Sequence, residues 1–433
     1  MRLRHVVADS VVRNSTAIMA TTVLNSGLGY LFWIITAHII TPPAVGLVSA
    51  LSSAMMLAAT VASAGFGSAL IARLPGRTDP ADWSASISAA TLVTCVSSFL
   101  VAVGTGVAIM FLIKRTGSGA SLALREALLV LGAIGWGVTL LLDLIYVAER
   151  VSQEMLKRNI VFSALRLLLL GISVAVLPRS ATSVFGCWVL AAWISVLWSF
   201  AVTLPRLKPQ FRLATRKIRQ ETRAMTRILV GHHLITIAAQ LPMIVLPILV
   251  TARAGATAGG LFYIGWMTGG VFFMVSPAFA ASVFAEASHS PARLVPAIRR
   301  AAIFIPLLLL PTSVIVLVAG RSVLSLFGAR YESALPLLVP LVISAVPDAI
   351  TNLRVSVLRV RNRLTSAFLL NAGMAVFTLV CSWLFVRSNG IAAVGWSWLA
   401  AQTLGCVMIA TIVAVRRLRA TRHVREGLVD ARS

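Results

Sequence analysis

Acidic side chains are scarce in this sequence: 13 Asp and Glu stand against 38 Lys and Arg in 433 residues, and charged residues of both signs make up only 12%. A soluble chain of this length needs far more polar surface to cover its core, so most of the surface must face lipid. The four cysteines, Cys95, Cys187, Cys381 and Cys406, fall in apolar runs without Cys-x-x-Cys or Cys/His spacing, which argues against disulfides and metal sites. No Gly-x-x-x-x-Gly-Lys-Ser/Thr phosphate loop occurs and no polar stretch is long enough for a nucleotide domain, so no cofactor is expected and ATP is excluded as a driver. An Asp-x-Asp motif is also missing, and the external loops are short; both weigh against a polytopic polymerase or glycosyltransferase, so no enzymatic activity is expected.

What is abundant is apolar sequence: 58% of residues are hydrophobic and the mean hydropathy is +0.92. A hydrocarbon core about 30 Å thick takes roughly 20 apolar residues per helix, and the runs have that length rather than the alternation of a barrel. Twelve spans are expected near 15–39, 45–72, 85–113, 126–148, 155–177, 181–204, 228–252, 257–286, 299–320, 334–357, 364–386 and 390–415. The basic start, Met1 to Arg13, superficially resembles a signal peptide, but the apolar run behind it is too long for one and reads as the first helix.

The net charge of +25 lies in short segments between the spans, which marks orientation and not a nucleic-acid footprint. With both termini cytoplasmic in the inner (plasma) membrane, 30 basic residues fall inside and eight outside. Pro205 to Arg227 carries eight of them and reads as an amphipathic linker on anionic lipid headgroups. The expected organisation is a six-helix bundle over 1–204, the linker over 205–227, a second six-helix bundle over 228–415 and a basic tail over 416–433.

The halves echo one another. Phe185-Gly186-Cys187-Trp188-Val189-Leu190-Ala191-Ala192 is similar to Val394-Gly395-Trp396-Ser397-Trp398-Leu399-Ala400-Ala401, 209 residues later. Val45-Gly46-Leu47 aligns with Gly259-Gly260-Leu261, and Asp143 with Asp348. Six spans per repeat start both on the same side, so an axis along the membrane normal should relate two bundles facing a central cavity.

Three segments carry a family resemblance: Thr41-Pro42-Pro43-Ala44-Val45-Gly46-Leu47, Gly65-Phe66-Gly67-Ser68-Ala69-Leu70, and Leu326-Phe327-Gly328-Ala329-Arg330-Tyr331. On these the chain resembles the oligosaccharide flippases, the Wzx-like branch of the multidrug, oligosaccharidyl-lipid and polysaccharide (MOP) exporter superfamily. The resemblance implies two six-helix bundles, alternating access, and movement of a polyprenyl-pyrophosphate-linked saccharide from the inner to the outer leaflet, alongside polysaccharide biosynthesis machinery. A lipid II flippase or a multidrug antiporter of the same superfamily is the alternative; a carrier of cations would want acidic cavity walls.

Ionisable groups within the spans cost a few kcal/mol unless partnered or in a wet cavity. Arg166 shares a helix face with Asn159 and Ser163, where its guanidinium either meets a substrate phosphate, pairs with Asp143 or snorkels to the surface. Arg354 is a second cationic candidate nearer the boundary. Asn25, Gln240, Asn352 and Asn371 offer amides for sugar hydroxyls or for gluing helices. Asp143, Asp348, His232 and His233 are candidates for ion coupling or charge balance. The prolines inside spans, Pro242, Pro247, Pro277, Pro306, Pro311, Pro336, Pro340 and Pro347, all lie in the second half, which is therefore expected to bend more during gating.

Overall fold

A backbone amide left unpaired in hydrocarbon costs several kcal/mol, so an apolar chain of this kind closes its hydrogen bonds within helices. The computed structural model of the chain is built this way. It describes residues 2–63, 70, 74–77, 79–112, 119–213, 217–226, 230–270, 273, 276, 279–280, 283 and 294–430, and the side chains of these except 2–15, 108–112, 119–121, 224–226, 230–232 and 416–430. Among the described residues there is no strand.

The helices are α1 (Arg2–Ile39), α2 (Pro42–Ala62), α3 (Pro80–Leu112), α4 (Gly119–Ala148), α5 (Ser152–Val176) and α6 (Ala181–Trp198). A π-helical turn (Ser199–Thr203) joins α6 to the short α7 (Leu204–Leu207). There follow α8 (Ile218–Thr226), α9 (Val230–Ala254), α10 (Ala256–Gly270), α11 (Leu294–Ser325), α12 (Leu335–Val360), α13 (Leu364–Asn389) and α14 (Ala392–Asp430). Eleven of the described helical segments are long and apolar enough to cross a membrane. The eighth expected span, 257–286, coincides with α10 and with residues that are described only in part.

Local chemistry sets the helix ends. Pro42 opens α2 behind the extended Thr41, where a missing N–H costs nothing. Ser180 caps α6 by accepting from the Ser183 amide at 3.2 Å. Gly328, in the third family-like segment, has φ 111°, which explains its glycine. Pro242 and Pro247 lie inside α9, Pro306 and Pro311 inside α11, and Pro340 and Pro347 inside α12. Pro336 sits in the first turn of α12, and Pro277 lies outside the described residues.

The chain divides into two compact units, one of Met1–Tyr263 with Leu326–Gly328, the other of Ile264–Ser325 with Ala329–Ser433. In the first, Trp83, Ile87, Leu142, Ile145, Tyr146 and Leu204 form a buried cluster. Glycines let its helices close up: a methyl on Gly132 would meet the Met55 sulfur at 2.8 Å, and one on Gly137 the Ser98 hydroxyl at 2.7 Å. The basic linker is tied to the start of α3, with Arg77 Nη2 2.6 Å from Glu221 Oε1 and Lys217 Nζ 2.6 Å from Asp82 Oδ1. That Asp82 hydrogen bond raises the Lys217 pKa.

In the second unit, Leu294, Ala297, Ala301, Ile305 and Leu309 of α11 pack on Val342, Ala345 and Ala349 of α12. The opposite side of α11 exposes Leu307, Leu310, Val314, Ile315 and Val318, the last 81% exposed, a surface that only lipid makes favourable.

The internal repeat reappears in backbone detail. Between α4 and α5, Arg150 turns left-handed (φ 57°), with Arg150 N–H donating to Val147 O and Val151 N–H to Tyr146 O. Between α12 and α13, Asn362 does the same (φ 53°), with Asn362 N–H donating to Arg359 O and Arg363 N–H to Leu358 O. Two turns with one hydrogen-bonding pattern stand 212 residues apart in sequence, within three residues of the 209-residue offset of the sequence echo.

Candidate functional site

The polar stripe of α5 faces α1 and α4. Asn159 occupies its centre: Nδ2 donates to Asp143 Oδ1 at 3.2 Å and to Met155 O at 2.9 Å, while Oδ1 accepts from Asn25 Nδ2 at 2.8 Å. Ser163, one turn on, donates to Asn25 Oδ1 at 3.4 Å. Asp143 also accepts from Arg158 Nη2 at 2.8 Å. Arg158 is buried, and its Nε and Nη1 have no hydrogen-bond partner among the described residues. Asn25, Asp143, Arg158, Asn159 and Ser163 thus form one continuous network through three helices.

Arg166 ends the same stripe and is 5% exposed. Its guanidinium carbon stands 4.3 Å from the Phe32 ring centroid, 4.8 Å from that of Trp188 and 5.3 Å from that of Phe162. Nη2 lies beside α1 at Gly29, where an added methyl would be 3.9 Å away. Trp33 packs at a tilt on Tyr263, with ring centroids 4.4 Å apart, and Trp136 packs on Phe162 at 5.7 Å, so further rings back the three that touch the guanidinium. Among the described residues no carboxylate pairs with Arg166, and its Nε has no partner. Ring faces stabilise a cation when desolvated by about 2 kcal/mol. They do not neutralise it as a carboxylate would.

The second unit holds a buried carboxylate. Asp348 Oδ2 accepts from the Ser276 hydroxyl and from Asn352 Nδ2 (3.0 Å), and Asn352 Nδ2 reaches Ser276 Oγ at 3.2 Å. One turn on, Thr351 Oγ1 donates to Gln402 Oε1 at 2.8 Å.

The sequence candidates therefore separate. Asn25, Asp143 and Arg166 lie along one α1–α4–α5 contact, and Asp348 and Asn352 meet each other. Asn371 is buried on α13, Arg354 half-buried on α12, and Gln240 exposed on α9. His233 is half-buried against the Thr60 backbone, and its Nε2 has no hydrogen-bond partner among the described residues. The side chain of His232 lies outside the described residues, as do Gly65 to Ala69 of the second family-like segment.

Sequence reasoning missed Arg158, Ser276 and the aromatic rings around Arg166. Arg158 adjoins Lys157 at the start of a span and reads as a surface charge. Ser276 has no feature to distinguish it from other membrane serines. The aromatics left a trace in Phe32-Trp33, but nothing that assigned them to Arg166.

A family model described as polysaccharide biosynthesis protein matches residues 11–284. The chain belongs to the polysaccharide biosynthesis protein family. Among curated proteins none matches it. Among solved structures, a lipid II flippase, MurJ, in an inward closed conformation is similar over 93% of this chain and 87% of its own, with TM-score 0.71 and 10% identity. A MATE in complex with MaL6 is similar over 95% of this chain and 96% of its own, with TM-score 0.60 and 14% identity. A MOP superfamily transporter from Pyrococcus furiosus, whose binding pocket is described as of reverse polarity, is similar over 95% and 96%, with TM-score 0.57 and 15% identity. At such identities the likeness fixes the fold, that of MOP superfamily transporters. The polysaccharide biosynthesis family thus has here a multi-pass, all-helical member with a transporter fold.

Proposed function

We propose that the chain flips a polyprenyl-pyrophosphate-linked oligosaccharide from the inner to the outer leaflet of the cell membrane by alternating access, with both termini cytoplasmic and no catalysis of its own. The observation that carries this reading is Arg166, a buried cation held on aromatic faces without an acid partner among the described residues. A guanidinium in that condition matches a pyrophosphate oxyanion, which accepts from two N–H groups at once. Asn25 and Asn159 supply amides and Ser163 a hydroxyl, groups of the kind that bind sugar hydroxyls.

In this reading Asn352, Arg354, Asn371 and Gln240 serve the saccharide. Asp143 and Asp348 balance charge, and His232 and His233 couple transport to a proton gradient by titrating. Residues 1–204 and 228–415 act as the two halves, with the linker 205–227 and the tail 416–433 on anionic headgroups. Membership of a polysaccharide biosynthesis family supports a saccharide cargo over a cationic drug. An acid-free guanidinium repels cations, which supports the same choice.

The test is reconstitution in proteoliposomes with a fluorescent undecaprenyl-pyrophosphate oligosaccharide and, separately, with lipid II and a cationic dye. Arg166→Ala is expected to slow flipping of the oligosaccharide at least about tenfold, equivalent to about 1.4 kcal/mol, while Arg166→Lys, which keeps charge but loses the fork, falls between. Wild-type rates in Arg166→Ala would remove the proposed role. Faster movement of lipid II or of the dye would hand the function to the corresponding alternative.

A further inference from the structure

Where α4 ends and α5 begins, beside the π-helical turn after α6, the first unit contains a cavity of ≈ 170 Å³ lined by Arg150, Gln153, Glu154, Thr203 and Arg206, among others. That is several times the ~30 Å³ a water molecule occupies in the liquid. The acid in the lining is already engaged, since Glu154 Oε1 lies 2.6 Å from Lys157 Nζ. Glu149, next to Arg150, accepts from Trp83 Nε1 at 2.8 Å. Arg150 and Arg206 are exposed and pair with no acid among the described residues. The lining therefore presents two guanidinium groups that pair with no acid among the described residues, an amide, a hydroxyl, and one carboxylate that is paired with Lys157.

The repeat sharpens this. Arg150 holds a left-handed backbone that costs roughly 1–2 kcal/mol for most residues and less for asparagine. The corresponding turn in the second unit uses Asn362. Turn geometry thus accounts for the conformation at 150 but not for an arginine there. The opposite wall is also irregular, because the π-turn Ser199–Thr203 interrupts the helix where Thr203 and then Arg206 reach the cavity.

We infer that this cavity binds a phosphate-bearing anion, gripped by Arg150 and Arg206 with Gln153 and Thr203 as uncharged donors. The anion is either the headgroup of an anionic phospholipid or a soluble phosphate compound. None of the Arg166 network is involved, so the site stands whether or not the flippase reading does.

The full-length protein in phosphatidylcholine nanodiscs provides the test. One arm titrates inorganic pyrophosphate. The other substitutes phosphatidylglycerol into the disc and counts retained lipid by native mass spectrometry; Tm is followed in both. At least one arm is expected to saturate, and which one does identifies the source. Arg150→Gln/Arg206→Gln is expected to weaken that binding about tenfold. Arg361→Gln/Arg363→Gln, which removes equal charge from another loop, should leave it within about twofold. Gln153→Glu, an exposed change that leaves the turn intact, should weaken it severalfold and covers the case in which the double variant does not fold. Saturation in neither arm, an equal loss from the 361/363 control, or an unaltered affinity in Gln153→Glu overturns the inference.

Discussion

At the scale of single residues, the two arginines of α5 have opposite surroundings. Arg158 has an acid, Asp143, at 2.8 Å, and Arg166 has rings. Arg158 is buried while the Asp143 side chain is 26% exposed. Removing the acid therefore leaves a buried charge uncompensated, at a cost at or below the about 3–5 kcal/mol of a fully buried pair, whereas replacing both by apolar groups of similar volume is often neutral. Asp143→Ala should therefore lower Tm markedly in a thermal-shift measurement on the purified protein, and Asp143→Leu/Arg158→Met should recover most of the loss. A double variant no more stable than Asp143→Ala would show that the pair does not govern stability here. The sequence made Arg166 and Asp143 conspicuous because both interrupt apolar runs. It could not say that Asp143 belongs to Arg158, because that choice depends on which turn of α5 faces α4.

At the scale of helices, close approach rests on missing side chains. Gly46 of α2 and Gly260 of α10 occupy matching places in the repeat and touch: a methyl on Gly46 would run into the Ala256 carbonyl oxygen and lie 2.7 Å from the Gly260 nitrogen, and one on Gly260 would meet the Pro42 carbonyl. Thr251 Oγ1 donates to Gly46 O at 3.4 Å, fixing α9 beside them. Adding a methyl to so tight a contact costs about 1–3 kcal/mol by overpacking. Gly46→Ala and Gly260→Ala should each reduce Tm. Because both act on one contact, the double variant should cost less than the sum of the two, as a double-mutant cycle would measure; strict additivity would place the two losses at separate sites. The segment Val45-Gly46-Leu47 and its partner Gly259-Gly260-Leu261 were legible as an echo in the sequence. Their mutual contact was not, since a repeat predicts equivalence but no distance.

At the scale of the whole chain, charge is unevenly spread: 38 basic residues against 13 acidic, with the basic ones concentrated in alternate loops. Under the cytoplasmic bias of Lys and Arg, that asymmetry supports the proposed placement of both termini in the cytoplasm. It also suits an anionic cargo leaving a negative interior, because each charge moved outward gains about 2.3 kcal/mol per 100 mV. In proteoliposomes with an imposed potassium diffusion potential, flipping should accelerate when the compartment equivalent to the cytoplasm is negative and slow when valinomycin and equal potassium remove the gradient. Rates that ignore the potential would exclude it as the driving force.

The sequence by itself determined what hydrophobicity and helical length control: the all-helical membrane fold, the placement of the described spans to within a few residues at most ends, and the polar face of α5. Those are local properties, set by whether a stretch of about 20 residues can satisfy its backbone in lipid. Only the tertiary structure decided the partners. Asn25 and Asn159 are 134 residues apart and meet at 2.8 Å. Arg166 receives Phe32 from α1 and Trp188 from α6. Helical periodicity says which side chains share a face, but the face opposite is chosen by the packing of other helices, where a missing methyl at Gly46 or Gly132 selects one arrangement over its neighbours.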